Sequence, residues 1–258
     1  MEKLALILIP FLGTVLGSSL VFFLKKNIGP KTSKILIGFA AGVMIAASIW
    51  SLIIPSIDLA SDTLEIPWIP AAVGFSLGMI FLLIFDSLLP HQHLDKETPE
   101  GIKTHLSRPN LLFFSVTLHN IPEGMAVGAV LAGFYTSNTS ISLMAALSLV
   151  IGIAIQNFPE GAIISLPIYE NTKSKLKSFT YGVVSGVVEP LAALLMFFLV
   201  NYLSSLLPYF LSFAAGAMIY VVVEELIPES QNGKHSNLAT ISLMFGFVLM
   251  MILDIALG

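Results

Sequence analysis

Residues 114–134 read FSVTLHNIPEGMAVGAVLAGF, an apolar run that is interrupted halfway by the polar stretch HNIPEG at 119–124. About 20 apolar residues in a helix are enough to cross the ~30 Å hydrocarbon core of a bilayer. The run has that length. A histidine, an amide, a proline and a carboxylate inside it are costly in lipid, and such residues usually mark functional positions. The stretch therefore predicts a membrane-spanning helix with a polar site near its middle.

The composition of the whole chain supports a membrane protein. Of its 258 residues 56% are hydrophobic and 11% are charged, and the mean hydropathy is +0.91. Water-soluble domains carry about 25% charged residues, so this class is excluded. We predict an all-α, polytopic membrane protein with one domain over residues 1–258 and eight transmembrane helices. The predicted spans are about 4–24, 35–55, 67–89, 110–133, 141–168, 178–201, 207–227 and 238–257, with a cytoplasmic loop at about 90–109.

Two features limit the alternatives to this plan. One helix over residues 178–227 would be ~75 Å long, so we expect the chain to turn between 201 and 208. The first apolar segment is longer than the apolar part of a signal peptide, and we expect it to remain as a span. The chain has no cysteine. Any metal site must therefore use nitrogen and oxygen donors.

The basic residues predict the orientation in a cell membrane. With the N-terminus outside, eleven of the twelve lysine and arginine residues face the cytoplasm, and Lys3 alone lies opposite. The positive-inside rule then places both termini outside the cytoplasm. The outer loops carry Asp58, Asp62 and Glu65 without a compensating base. These acids either attract cations or are ordinary solvated loop residues.

The polar stretch occurs twice. QNFPEG at 156–161 repeats HNIPEG 37 residues later, near the middle of the next predicted span. Consecutive spans joined by a short loop run antiparallel, so the two copies can meet at similar depth. Inverted-repeat transporters build midplane sites in this way. Within each copy the polar residues stand three or four positions before the glutamate and share one helix face.

The charges inside the predicted spans are all negative. The spans contain no lysine or arginine, but they contain seven acids: Asp86, Glu123, Glu160, Glu189, Glu224, Glu225 and Asp254. A carboxylate at the bilayer centre costs ~3 kcal/mol, and two of them repel each other unless a proton or a metal ion is shared. One such acid can serve a structural role when it is protonated, but a merely structural role does not require two copies of the ligand pattern. The missing partner is a cation.

The donor types narrow that cation to a class. Imidazole with carboxylate and amide oxygens suits Zn²⁺, Fe²⁺, Mn²⁺, Co²⁺ or Cd²⁺, whereas Mg²⁺ and Ca²⁺ prefer all-oxygen shells and Cu(I) prefers sulfur. We predict a divalent transition-metal site in which the ion is cargo and no catalytic cofactor is present.

At these motifs the chain resembles the Zrt/Irt-like (ZIP) metal transporters, and most closely their GufA-like prokaryotic branch. The resemblance covers essentially the whole chain. It implies an inverted-repeat bundle around a binuclear midplane site. One metal would be held by His119, Glu123, Gln156 and Glu160 with Met44 nearby, and the second by Asn120, Asn157 and Glu189 with Glu123 and Glu160 bridging. Met44 is either a ligand or a packing residue.

The same resemblance implies a transport pathway. Asp58 would lie at the outer entrance. The inner exit would be lined by Asp86, His91, His93, Glu224, Glu225 and Asp254. The two histidines of the exit lie where the third span meets the cytoplasm, where imidazoles can receive a departing ion.

These observations predict uptake of a divalent transition metal, Zn²⁺ first, rather than an enzyme. The alternative is an intramembrane zinc metallohydrolase, but its usual H-E-x-x-H set is absent from the sequence. A carrier of organic cations would need an aromatic pocket, and Trp50 and Trp68 are better explained as interfacial anchors. As partners we expect metal ions and the lipid bilayer, no nucleic acid, and a homodimer as one allowed assembly.

Overall fold

The computed structural model describes residues 2–23, 29–89, 106–135, 141–233 and 236–257. All regular structure in these ranges is helical, which confirms the prediction of an all-α protein. The α-helices are α1 Glu2–Phe23, α2 Pro30–Ala47, α3 Ile54–Ser61, α4 Trp68–Leu88, α5 Arg108–Tyr135, α6 Leu143–Thr172, α7 Lys175–Gly186, α8 Val188–Tyr202, α9 Leu207–Val221, α10 Ile227–Gln231 and α11 Leu238–Leu257.

Several of these helices join end to end into membrane-length units. Within the described ranges, seven helical segments are long and apolar enough to span a bilayer. They include three composite units: 30–61 (α2 and α3), 175–202 (α7 and α8) and 204–231 (α9 and α10). The 28-residue helix α5, which carries the first polar stretch, is the eighth long helix. The chain is therefore a multi-pass membrane protein.

Helices from the two halves of the chain pack in pairs. The main pairs are α1 with α6, α2 with α11, α4 with α9, and α5 with α8. In each pair the first helix carries two glycines four residues apart, and a side chain there would collide with backbone atoms of the partner. These glycines are Gly13 and Gly17, Gly38 and Gly42, Gly74 and Gly78, and Gly124 and Gly128. Such small-xxx-small spacing lets membrane helices approach closely, and here it joins the two halves of the chain.

A second internal repeat lies outside the polar motifs. Residues 39–45 read FAAGVMI in α2, and residues 213–219 read FAAGAMI in α9. Each copy leads into a π-helical segment, Ser48–Ile53 or Val222–Leu226, and then into an Ile-Pro pair that starts a short helix. Gly42 packs on the backbone of α11, and Gly216 packs on that of α4. The two halves therefore share one design, and π-helical segments often occur at functional sites.

Candidate metal centre

Two long helices carry the repeated polar stretches through the centre of the bundle. Pro122 lies inside α5 and Pro159 inside α6, and both helices continue past them. Each proline lacks the N–H that would bond the carbonyl four residues earlier, but it does not end the helix because other membrane helices surround it. The polar side chains that these helices and α8 bring to the centre are all at most 7% exposed: His119, Asn120, Glu123, Gln156, Asn157, Glu160 and Glu189.

The two copies of the motif meet directly. The Nε2 atom of Gln156 donates a hydrogen bond of 2.7 Å to Oε1 of Glu123, and both side chains are fully buried. Farther along, the side chain of Ile141 at the start of α6 lies against Gly133 near the end of α5. The helices are therefore antiparallel, with their motifs at the same depth.

A second carboxylate–amide pair lies beside the first. The Nδ2 atom of Asn157 lies 3.0 and 2.9 Å from the two carboxylate oxygens of Glu189, and it also donates to the carbonyl of Pro10 in α1 at 3.3 Å. Asn120 donates through Nδ2 to the carbonyl of Ser185 in α7 at 3.0 Å. The close approach of Gly124 to the backbone of Glu189 holds α8 against α5. Five helices, α1, α5, α6, α7 and α8, thus place the three side chains.

Several oxygens in this centre have no hydrogen-bond partner, although they are buried. They are Oδ1 of Asn120, Oε2 of Glu123, Oε1 of Gln156, Oδ1 of Asn157 and Oε2 of Glu160. A buried polar atom without a partner costs about 1–3 kcal/mol, more when it is charged. All five atoms can only accept hydrogen bonds. A metal cation can therefore satisfy them, whereas another acceptor cannot.

The donors are not gathered into a finished coordination shell. Within the described residues, no three histidine, aspartate or glutamate side chains form a group that could hold a metal ion. Glu123 and Glu189 are paired with amide N–H groups instead. The carbonyl oxygens of Gln156 and Asn157 remain without a hydrogen-bond partner while their N–H groups contact the glutamates.

One predicted exit residue touches the centre. The Nε2 atom of His119 is in direct contact with a carboxylate oxygen of Glu225, and that same oxygen accepts a 2.9 Å hydrogen bond from the hydroxyl of Ser115. Glu225 belongs to the π-helical segment Val222–Leu226 and is 4% exposed. The segment therefore brings a carboxylate to the histidine of the first motif.

A small cavity extends from the centre toward one end of the bundle. It measures about 40 Å³, room for a few water molecules. Its walls include His119, Glu160 and Ser115 together with Ile163 and Glu229. Apart from Glu229 in α10, these residues lie toward the start of α5 and the end of α6, and Lys173 and Lys175 follow at that end of α6. We call this the basic end.

The opposite side of the centre is closed. The side chains of Leu52, Ala126, Leu149 and Ile153 pack there with no exposed surface. Met250 of α11 fills the notch at Gly152, one helical turn before Gln156. In this conformation the centre therefore has access from the basic end alone among the described parts of the bundle.

The structure treats the remaining predicted exit residues in three different ways. Asp86 accepts a 3.0 Å hydrogen bond from the hydroxyl of Tyr220, one turn before the half-buried Glu224, so Asp86 lies close to the π-helical segment that carries Glu224 and Glu225. His91 and His93 lie outside the described residues. Asp254 forms the third group.

The structure separates Asp254 from the predicted exit group, and we remove it from that group. Its Oδ1 atom accepts hydrogen bonds from Ser51 at 2.8 Å and from Ser148 at 2.6 Å. Ser148 precedes Gln156 on α6 by eight residues, whereas Ser115 precedes His119 on α5. Because α5 and α6 are antiparallel, Asp254 and Glu225 lie on opposite sides of the centre. Charge and the family resemblance place Asp254 with the exit residues, but neither takes account of the direction of its helix.

The positions of Asp58 and Met44 are consistent with more than one role. Asp58 is exposed on α3, at the end of the bundle away from the lysines. Met44 is fully buried in the main apolar core, one turn after Ala40, which lines the cavity.

The sequence analysis missed three groups that contact the centre. They are the Ser115 hydroxyl and the carbonyls of Ser185 and Pro10. Ser115 could have been found, because it stands four residues before His119 on the same helix face. The two carbonyls carry no side-chain signal.

The chain is similar over most of its length to known proteins. A family model described as ZIP zinc transporter matches residues 90–254. The chain is 38% identical to the zinc transporter ZIPB of Bordetella bronchiseptica, an alignment that covers 96% of this chain and 79% of that protein. It is 34% identical to the zinc transporter GufA of Myxococcus xanthus, with 86% of each covered. It is 35% identical to the zinc transporter ZIP11 of Xenopus tropicalis, with 95% and 94% covered.

Proposed function

Because the chain belongs to the ZIP family of zinc transporters, we propose that it takes up divalent transition-metal ions across a membrane into the cytoplasm. Zn²⁺ is the first candidate, and Fe²⁺, Mn²⁺, Co²⁺ and Cd²⁺ suit the same donors. The names of the relatives support transport rather than catalysis. The metal is cargo, not a resident cofactor.

The observation that carries the proposal is the set of five buried, partnerless acceptor oxygens between two copies of one motif. The seven described side chains of the centre include three glutamates and no lysine or arginine. An entering dication would satisfy these oxygens and offset the repulsion among the carboxylates.

We propose two adjacent ion positions. The first uses His119, Glu123, Gln156 and Glu160, with Met44 as a further candidate. The second uses Asn120, Asn157 and Glu189, and Glu123 and Glu160 bridge the two. The paired contacts Glu123–Gln156 and Asn157–Glu189 support this division, because each joins residues of one proposed position.

The direction of transport follows from the charges at the two ends. The cavity faces the basic end, which the positive-inside rule assigns to the cytoplasm. An ion at His119 would pass to Glu225, then toward Glu224, Asp86 and the histidines His91 and His93. Asp58 would receive ions at the outer entrance. An inside-negative potential favours inward movement of a dication by about 4.6 kcal/mol per 100 mV. Access would alternate as helix groups move around the fixed centre.

Uptake into proteoliposomes tests the proposal. Purified protein is reconstituted with a zinc-sensitive dye inside, and Zn²⁺ is added outside. We expect an increase in dye signal that is abolished in the double variant His119→Ala/Glu160→Ala, because that variant loses an imidazole and a bridging carboxylate.

The matched control is Glu170→Gln, which removes an exposed carboxylate from the same helix as Glu160. It should transport like the parent. Parental transport by the double variant would show that the ion does not use this centre. Cleavage of a lipid or peptide substrate without ion flux would favour the metallohydrolase instead.

A further inference from the structure

A groove at the basic end of the bundle is separate from the metal centre. It lies between the first turns of α5 and the middle of α7 and measures about 340 Å³. Phe113 and Phe114 form its wall on α5, and Thr180 and Val184 form its wall on α7. Val184 is 48% exposed, so this wall faces the lipid.

The groove has a polar rim above an apolar floor. The hydroxyl of Tyr181 donates a 2.7 Å hydrogen bond to Oδ1 of Asn110 across the groove, and the Tyr181 ring meets Phe113 edge-on with centroids 5.6 Å apart. These contacts tie α5 to α7. A ligand that fits must be apolar along Phe114 and Val184 and polar near Asn110.

The charge around the rim is positive. Lys177 is exposed and stands four residues before Tyr181 and seven before Val184, on the same face of α7. Seven residues of helix span about 10 Å, so a head group at Lys177 would leave an acyl chain lying along Val184. Lys173 and Lys175 lie nearby in the chain, against the single acid Glu170 over residues 170–177. Lys175 is already bonded to the carbonyl of Phe22.

We propose that this groove binds an anionic phospholipid, with its phosphate at Lys177 and one acyl chain along Phe113, Phe114 and Val184. Basic residues at a membrane surface attract anionic lipids, and the aromatic floor suits a hydrocarbon chain. The groove and the metal centre are separate, but they share a stretch of α7. Val184 lines the groove, and the carbonyl of the next residue, Ser185, accepts the hydrogen bond from Asn120. Bound lipid therefore stabilises the contact between α5 and α7.

Native mass spectrometry of the purified full-length protein tests the proposal. The probes are phosphatidylglycerol and phosphatidylcholine with identical palmitoyl and oleoyl chains. We expect the parent to retain phosphatidylglycerol about fivefold better, as one lysine contact predicts. Lys177→Gln should remove this preference. Lys31→Gln, which removes an exposed lysine from the start of α2, should keep it.

Two filled-groove variants test the position of the acyl chain. Thr180→Trp and Val184→Trp place an indole in the groove at lipid-exposed positions, so the core is left intact. Both should reduce retention of either lipid and remove the increase in melting temperature that phosphatidylglycerol gives the parent. Equal retention of the two lipids by the parent would overturn the proposal. So would undiminished phosphatidylglycerol binding in both tryptophan variants. Neither readout depends on metal transport.

Discussion

At the scale of single residues, neutral amide groups hydrogen-bond two of the three glutamates of the centre. The amide N–H groups of Gln156 and Asn157 point at Glu123 and Glu189, while their carbonyl oxygens remain without a partner. An amide offers donors and an acceptor on one planar group, so a rotation exchanges one for the other. Glutamine and asparagine are therefore better suited to these positions than further carboxylates, which would repel their neighbours.

The substitution Glu189→Gln separates the two proposed ion positions. It keeps the size of the side chain but removes the charge that Asn157 contacts with both oxygens. We expect the bound metal to fall from two ions to one per chain, with the first position retained. Elemental analysis of the purified protein after dialysis against Zn²⁺ measures this ratio.

The control for that variant is Glu170→Gln, which changes an exposed carboxylate in the same way. An identical metal content in all three proteins would contradict a binuclear centre.

The residue pattern was enough to predict that the two motifs meet. The spacing of HNIPEG and QNFPEG predicted copies at similar depth, because short-looped neighbouring helices are antiparallel, and the resemblance to the ZIP family grouped Glu123 with Gln156. It could not predict that Asn157 would also use the carbonyl of Pro10, since a backbone acceptor looks the same at every residue. It also misplaced Asp254, whose depth depends on helix direction.

At the scale of helices, close packing places the functional groups. The contact of Gly124 with the backbone of Glu189 joins the first motif helix to the third glutamate. A methyl group at Gly124 would collide with that carbonyl, and α8 would have to shift.

The substitution Gly124→Ala should therefore destabilise the protein by about 1–3 kcal/mol, the usual cost of overpacking. It should also weaken the second ion position, because Glu189 moves. Thermal unfolding in detergent measures the first effect, and metal content measures the second. Gly29→Ala serves as the control, because a Cβ there meets nothing within 4 Å. Equal melting temperatures for the two variants would refute the packing argument.

Hydropathy predicted the apolar runs but not their internal breaks. The run 178–201 contains the junction at Val187 between α7 and α8, and the runs of α2 and α9 each lead into a π-helical segment. Hydropathy reports contact with lipid, whereas these breaks depend on hydrogen-bond register. The repeated FAAGxMI followed by Ile-Pro is the sequence signal that marks the two π-helical segments.

At the scale of the whole molecule, the centre is accessible from one end and sealed at the other. Ile163 lines the cavity on the basic side, whereas Ile153 has no exposed surface on the other side. The chain has no cysteine, so a single introduced thiol can be labelled without background.

We expect Ile163→Cys to react with a membrane-impermeant maleimide applied from the cytoplasmic face, and Zn²⁺ to slow the reaction. Ile153→Cys should stay unlabelled from either face while the protein holds this conformation. Mass spectrometry counts the labelled chains, and Glu170→Cys, at an exposed position near the end of the same helix as Ile163, gives a reference for accessible thiols. Labelling of Ile153→Cys in preference to Ile163→Cys would reverse the assigned access.

The amide–carboxylate pairs have a consequence for ion selection. A cation that binds Glu123 and Glu189 competes with the N–H donors of Gln156 and Asn157 for these carboxylates. A sodium or potassium ion offers these glutamates half the Coulomb attraction of a dication at the same distance. The amide donors therefore favour divalent over monovalent ions at this centre, because the weaker attraction of a monovalent ion competes less well with two hydrogen bonds.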